Sequence, residues 1–388
     1  MNYTAVDLND EVTQYLYFNT GLLSLYLIVG LTGNSSVLYI YTRKMRKTEE
    51  RYFIPLLAVS DIFACLAGII LGIVSNFYRA NYVLDTFCKV GYFFTWTTTS
   101  ISGFLILLIA LSRYTRICRP TGLQLNTTRK RRALIVMSSI SLVTSIPMLY
   151  FLGSRDFPFE YKGELINTTL CTLRFSDSSM KLLQNAYFAF EIFLASLNMI
   201  VTCGLYIPVG VTIYRKFKVI RQNMKASKSV STVSDGVSLS IAKRRICVNT
   251  PEHEFSVTSE VMSENEMCSK CITSTNPSRI DYKQKVSSLK RRKNSRRKQI
   301  KHNFTLMFAT IILIYVLAYL PTLLLFMLPG DDPPKFWFTR GAVELNVLVF
   351  LQRAFLLNNI LNPFIYTYFD LSFRRELNNM LCFCGKKQ

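Results

Sequence analysis

Charge is what this sequence lacks over long runs. No Asp, Glu, Lys or Arg occurs between Glu11 and Arg43, between Lys89 and Arg113, between Arg132 and Arg155, or between Lys301 and Asp331. Residues 192–214 are equally bare, 52–78 carry only Asp61, and 345–369 carry only Arg353. A helix crosses about 30 Å of hydrocarbon with roughly 20 residues, so each run can span a bilayer. One or two such runs could be helices of a large soluble core. Seven in a chain of 388 residues argue for seven membrane spans instead.

Histidine is almost missing: His253 and His302 lie in or beside a single polar loop, and nothing supports an enzyme. No internal repeat is visible, which weakens a transporter built from inverted halves. The amino end lacks the basic flank and small-residue cleavage site of a signal peptide, so the first span is expected to act as its own insertion signal.

The net charge of +22 could suggest nucleic acid, but its placement argues against that partner. The first twenty residues hold three acids and no Lys or Arg. With that end outside, alternation puts thirty-seven of the 46 basic residues on the inner side, twenty-one of them in the third inner loop. That is the positive-inside bias. It predicts a multi-pass plasma-membrane protein in five parts: an extracellular stretch 1–19, spans one to five with loops over 20–215, a basic third cytosolic loop 216–300, spans six and seven over 301–369, and an amphipathic helix with a tail over 370–388. The third loop is rich in Ser, Thr, Lys and Arg and poor in aromatics, hence expected to be disordered.

Ten cysteines sort by side. Only Cys88 and Cys171 face the oxidising compartment, which allows one intramolecular pairing, a disulfide that would staple the second outer loop over the bundle mouth. Within that loop, residues 157–161 and 169–175 flank a glycine and read as a possible hairpin. Asn2 and Asn167 head glycosylation sequons on the outer side, whereas Asn126 and Asn303 match on the inner side and are expected to stay unmodified.

Particular residues carry the next step. Gly33-Asn34 lies in the first span, Leu57-Ala-Val-Ser-Asp61 in the second, and Cys88 lies twenty-five residues before Arg113 in Ser112-Arg113-Tyr114. Pro321 lies in the sixth span. The seventh reads Asn358-Asn-Ile-Leu-Asn362-Pro363-Phe-Ile-Tyr366, with Phe373-Arg374-Arg375 following. Together these motifs, each in its own span, resemble the rhodopsin-like (class A) G-protein-coupled receptors from the first span to the tail. The resemblance implies an all-α seven-helix bundle with a short amphipathic cytosolic helix after the seventh span. It also implies activation residues Arg113, Tyr114, Tyr319, Pro321, Asn362, Pro363 and Tyr366, with Tyr214 as a weaker candidate.

Asp61 is an acid at mid-span, where an unpaired charge costs several kcal/mol. The resemblance implies a sodium ion there, held by Asp61, Ser102, Asn358 and Asn362 beside Asn34, as an allosteric modulator rather than a cofactor. A protonated, hydrogen-bonded structural acid is the alternative. Arg113 lies about 36 Å along the helix from Lys89, at the inner edge. In the family it moves between a neighbouring carboxylate and the G protein, yet here Ser112 precedes it and Lys301 stands at a second latch position. Without charge-assisted bonds worth about 1.5–3 kcal/mol each, basal signalling is expected. Pro321 and Pro363 cannot donate to the carbonyls of Leu317 and Asn359, so both helices are expected to kink. Three further departures stand out. Tyr319 replaces the usual tryptophan, the fourth span (133–152) has none, and Pro208 and Tyr214 are six residues apart instead of eight.

A ligand cavity is expected to open outward, with Tyr92, Thr95, Trp96 and Thr99 on one face of the third helix. The acid that anchors biogenic amines is absent, Thr95 standing in its place, and Leu356 occupies the position of a retinal lysine. Arg353, beside Gln352, could meet a ligand carboxylate or pair with Glu191 across the bundle. A neuropeptide is the leading ligand class. A lipid or small organic acid receptor, a non-signalling decoy and a transporter or channel are the alternatives.

Expected cytosolic partners are a heterotrimeric G protein, arrestin and receptor kinases. Membrane lipid is expected to attract the basic run 290–298. Cys382 and Cys384, after the amphipathic helix, are palmitoylation candidates. Cys268 and Cys271, with Cys247 and His253 upstream, form too weak a pattern for zinc.

Overall fold

The computed structural model describes residues 3–122, 124–233, 303–326, 328–330 and 332–384. The chain divides into two units, residues 1–214 with 300–388, and residues 215–299. Asn2, the basic run 290–298 and the cysteines of the third loop lie outside the described residues, as does most of the segment expected to be disordered.

Apolar runs of this length become helices because a helix satisfies its backbone N–H and C=O groups within the segment, where the bilayer offers no water to do so. The spans are α2 (Tyr17–Tyr39), extended by a wide π turn to Lys44, α3 (Phe53–Phe77), α4 (Asp85–Cys118) and α5 (Thr127–Ser145). Past a short helix α6 (Met148–Phe151), α7 (Ser178–Val233) and α8 (Asn303–Phe326) follow. Among the described residues six helices are long and apolar enough to cross a membrane. The seventh crossing is a bent pair, α10 (Ala342–Gln352) and α11 (Leu356–Phe369), inclined by 67°. The chain is therefore a multi-pass membrane protein. The bend differs from the sequence expectation. It falls at residues 353–355, and α11 runs as helix through Pro363.

Three further features depart from the sequence reading. The amino-terminal stretch is a helix, α1 (Ala5–Tyr15), opened by a capping box between Thr4 and Asp7, and the first span starts at Tyr17. Thr4 followed three residues on by an acid is the signal that announces it. The fifth helix continues to Val233, past the expected boundary, through a stretch free of Gly and Pro in which the helix former Lys recurs at 216, 218, 225 and 228. A small helix α9 (Pro333–Phe338) precedes the seventh crossing, capped by Asp332. At the other end, α12 (Leu371–Cys384) is the short helix after the last span.

The second long loop forms a hairpin, β1 (Leu152–Tyr161) paired antiparallel with β2 (Glu164–Leu173). Its two-residue turn, Lys162-Gly163, has φ of 51° and 85°, the left-handed pair that matches the twist of flanking strands. Cys171 bonds Cys88 near the start of α4. Tyr82 N–H donates to the Thr169 carbonyl over 2.8 Å, and Thr169 N–H to that of Ala80 over 3.0 Å, so the hairpin is tied to the α3–α4 loop as well. α1 rests against the same region: Asn9 donates to the Phe77 carbonyl and accepts from Ala80 N–H.

Candidate ligand cavity and signalling face

Beneath the hairpin lies a cavity of about 580 Å³, walled by α3, α4, α7, α8 and the bend between α10 and α11. Tyr92, Thr95, Trp96 and Thr99, one face of α4, all line it, as do Glu191, Tyr319, Gln352 and Arg353. Leu170, Cys171, Thr172 and Leu173 of β2 close part of it, so the disulfide fixes the lid to the helix that forms the wall.

Arg353 and Glu191 share the cavity but do not pair. The bend makes Arg353 the C-cap of α10. Its Nη1 donates to Asn19 Oδ1 over 2.9 Å and to Asn76 Oδ1 over 2.8 Å. Asn76 is held in turn by Asn19 and Thr20. Glu191 accepts from Trp96 Nε1 over 2.8 Å. Each charge therefore meets neutral dipoles, because the break in the seventh crossing brings Arg353 to amides on α2 and α3. Asn19 and Asn76 were not singled out from sequence, and each alone looks like an ordinary polar residue near a helix end.

Deeper in the bundle, Asp61 is fully buried. Its Oδ1 accepts from Ser102 Oγ at 3.3 Å and its Oδ2 from Asn362 Nδ2 at 2.7 Å. Asn358 is not among its hydrogen-bond partners. Its Nδ2 donates to Asn359 Oδ1 over 3.3 Å, and its own Oδ1 is buried without a partner. The cluster offers oxygen donors around one carboxylate, a set that suits a hard cation. Among the described residues no group of three or more His, Cys, Asp or Glu could hold a metal ion. Beside this cluster, Tyr319 stands 4.6 Å from Tyr315 and 6.2 Å from Phe355 between ring centroids, and its hydroxyl is buried without a partner. Asn198 Nδ2 donates to Tyr315 Oη over 2.8 Å, joining α7 to α8.

At the far end of α4, Arg113 is only 7% exposed, not splayed toward the membrane surface. In place of a carboxylate its Nη2 donates to the main-chain carbonyl of Glu50 over 3.1 Å, and its Cζ lies 4.5 Å from the Phe308 ring centroid. Glu50 itself faces Arg116 at 3.7 Å. Tyr114 packs on the buried core nearby. Tyr366 is fully buried, edge-on to Tyr41 at 5.9 Å and Phe373 at 6.4 Å. Tyr41 donates to Asp370, which also meets Arg51 at 3.3 Å, so α12 is tied to the first and second spans.

The fifth-helix tyrosine needs correcting. Tyr214 is 71% exposed. Tyr206, on the other side of Pro208, is buried and donates to the Thr305 carbonyl over 2.5 Å. The two are about 2.2 turns apart, a net rotation of about 80°, and of the pair only Tyr206 is buried in the bundle. Of the modification candidates, Asn167 is exposed on the hairpin and Cys382 is an exposed free thiol on α12.

Residues 33–366 match the family described as "7 transmembrane receptor (rhodopsin family)". Similar proteins include the cholecystokinin receptor type A of Homo sapiens, 25% identical over 219 residues, which cover 55% of this chain and 50% of that protein. The neuropeptide Y receptor type 6 of Mus musculus is 29% identical over 135 residues, 34% of this chain and 36% of that one. The neuropeptide S receptor of Macaca mulatta is 26% identical over 143 residues, 36% and 38% of the two chains. The chain thus spans about half the length, or less, of these relatives.

Proposed function

The chain belongs to the rhodopsin family of seven-transmembrane receptors, and we propose that it relays a peptide ligand, bound beneath the hairpin, to a heterotrimeric G protein at the Arg113 end. In this reading the protein sits in the plasma membrane with its amino end outside. The observation that carries it is the build of α4: one helix bears the disulfide and the cavity face at one end and the buried Arg113 at the other. A displacement of that helix or its neighbours couples the two ends. Relatives named as receptors for cholecystokinin, neuropeptide Y and neuropeptide S favour a peptide as the ligand.

Sodium belongs to the same proposal. Asp61, Ser102, Asn358 and Asn362 would hold it, and the unpartnered Oδ1 of Asn358 supports that assignment. The ion supplies a positive charge that stabilises the resting arrangement of a buried carboxylate. Arrestin and receptor kinases are proposed partners of the Ser- and Thr-rich third loop. Glycosylation at Asn167 and palmitoylation at Cys382 and Cys384 complete the reading.

A peptide-library screen on cells expressing the chain, read by calcium and cyclic nucleotide, tests it. A peptide that signals through the wild type but not through Trp96→Ala is the expected result. Activation by lipids or small organic acids alone would replace the ligand class. Ion conduction by the purified protein in liposomes would replace the receptor.

A further inference from the structure

Two cations line the cavity, and among the described residues neither forms an ion pair. Arg79 follows the end of α3 and stacks its guanidinium over the Trp337 ring, with Cζ 4.4 Å from the centroid. Its Nε and Nη2 are shielded from solvent and have no hydrogen-bond partner. Arg353 has only the two neutral amide oxygens of Asn19 and Asn76. The acid in the same wall, Glu191, accepts from Trp96 through Oε2, with Oε1 unpartnered, and bonds neither arginine.

Burying an unpaired charge costs several kcal/mol, and a cation kept in a wall without a counter-ion needs some compensation. Burial pushes the Arg79 guanidinium down to about 10, which still leaves it a cation at neutral pH. Stacking on Trp337 fixes the plane of the guanidinium, and a planar fork of donors matches the two oxygens of a carboxylate. Lysine at the same place would offer neither the fixed plane nor the paired donors.

We propose that Arg79 and Arg353 form an anion subsite in the cavity, which receives a carboxylate carried by the ligand. This rests on the reading of the cavity as the ligand site. Trp337 of α9 positions Arg79, and the Asn19–Asn76 pair positions Arg353, so the subsite is assembled from the bend in the seventh crossing, α9 and the neighbouring ends of α2 and α3. A ligand carrying an acidic side chain or a free carboxyl end fits it, and its neutral amide counterpart binds more weakly.

The test uses the purified full chain in lipid nanodiscs and two small probes, 3-phenylpropionate and 3-phenylpropanamide, with binding followed by saturation-transfer NMR. The wild type is expected to bind the acid at least about tenfold more tightly than the amide, a factor equal to about 1.4 kcal/mol. Arg79→Gln is expected to abolish that preference and Arg79→Lys to restore part of it. Arg353→Gln is a second probe of the same effect. Where it fails to fold through loss of its amide contacts, Arg79→Gln carries the test alone, having no side-chain hydrogen bond at Nε or Nη2 to lose. No binding of the acid to the wild type, equal binding of the two probes, or a preference that survives Arg79→Gln overturns the proposal. The assay needs neither peptide nor G protein. A failed peptide screen with an intact acid preference therefore counts against the function alone, and an active peptide without acid preference counts against the subsite alone.

Discussion

The side-chain amide of Asn34 donates to the main-chain carbonyl of Asn359 over 2.9 Å, occupying the acceptor that Pro363 leaves open for want of an N–H. A proline can sit inside α11 because a neighbouring span supplies the missing donor. Gly33 makes this approach feasible, since a Cβ there would lie 2.9 Å from Pro363 Cγ.

Asn34→Leu removes that donor and leaves a buried carbonyl unsatisfied. The expected cost is about 1–3 kcal/mol, read as a lower thermal midpoint of the purified protein in detergent. An unchanged midpoint would mean that the carbonyl finds another donor at no cost.

The Arg113 latch is built from a neutral carbonyl and an aromatic face, not a carboxylate. Such a hold is weaker than an ion pair made at the same burial. Ser112→Asp is expected to lower ligand-free nucleotide exchange on a G protein, and Phe308→Ala to raise it, each several-fold. A wild type with no basal exchange but a robust response to agonist contradicts this account.

Sodium at Asp61 is tested by the same receptor in matched solutions of sodium chloride and N-methylglucamine chloride. The thermal midpoint is expected to rise with sodium in the wild type and to lose that dependence in Asp61→Asn, where the carboxylate is gone. Equal midpoints in the two salts would leave Asp61 as a hydrogen-bonded structural acid.

Glu11 gives a pH prediction outside the spans. Its carboxyl accepts hydrogen bonds from Tyr161 and Tyr15 and lies 3.2 Å from Lys162, and these contacts hold it below the usual glutamate range. A depressed folded value means that the contribution is fully present above the unfolded glutamate value of about 4.3 and is lost as pH falls through the lower folded one. Hydrogen exchange over residues 5–15, taken relative to the intrinsic amide rate at each pH, is therefore expected to accelerate below about pH 4 in the wild type. In Glu11→Gln it is expected to be faster already at neutral pH, with less further change. Identical exchange in both proteins across that range would remove Glu11 as the tether of α1 to the hairpin.

Much of this was legible in the sequence because spans and motifs announce themselves locally. Seven long apolar runs, five without a charge and two with a single one, give the spans, and an acid at position 61 gives the polar centre, whatever surrounds them. The cavity face of α4 was legible for the same reason, as Tyr92, Thr95, Trp96 and Thr99 follow the helical repeat. What escaped depends on how helices meet. The bend at residues 353–355 has no proline or glycine to mark it, so the kink was assigned to Pro363. Once Arg353 sits at that bend, its partners become Asn19 and Asn76 rather than Glu191. Arg79 was passed over as one of the few outer basic residues, since nothing in the sequence says that Trp337 lies beneath it. Tyr206 was missed because Pro208 and Tyr214, six residues apart instead of eight, left the register of the fifth helix open, and only the bond to the Thr305 carbonyl reveals which tyrosine faces inward.

The central claim, that the cavity beneath the hairpin is coupled to a G protein at Arg113, is tested most directly by guanine-nucleotide exchange. The purified chain in nanodiscs is mixed with a panel of heterotrimeric G proteins, with and without a peptide found active in the library screen. The account predicts accelerated exchange on at least one G protein, further increased by peptide and abolished by Arg113→Ala. No acceleration on any of them, or acceleration that Arg113→Ala leaves intact, would contradict it.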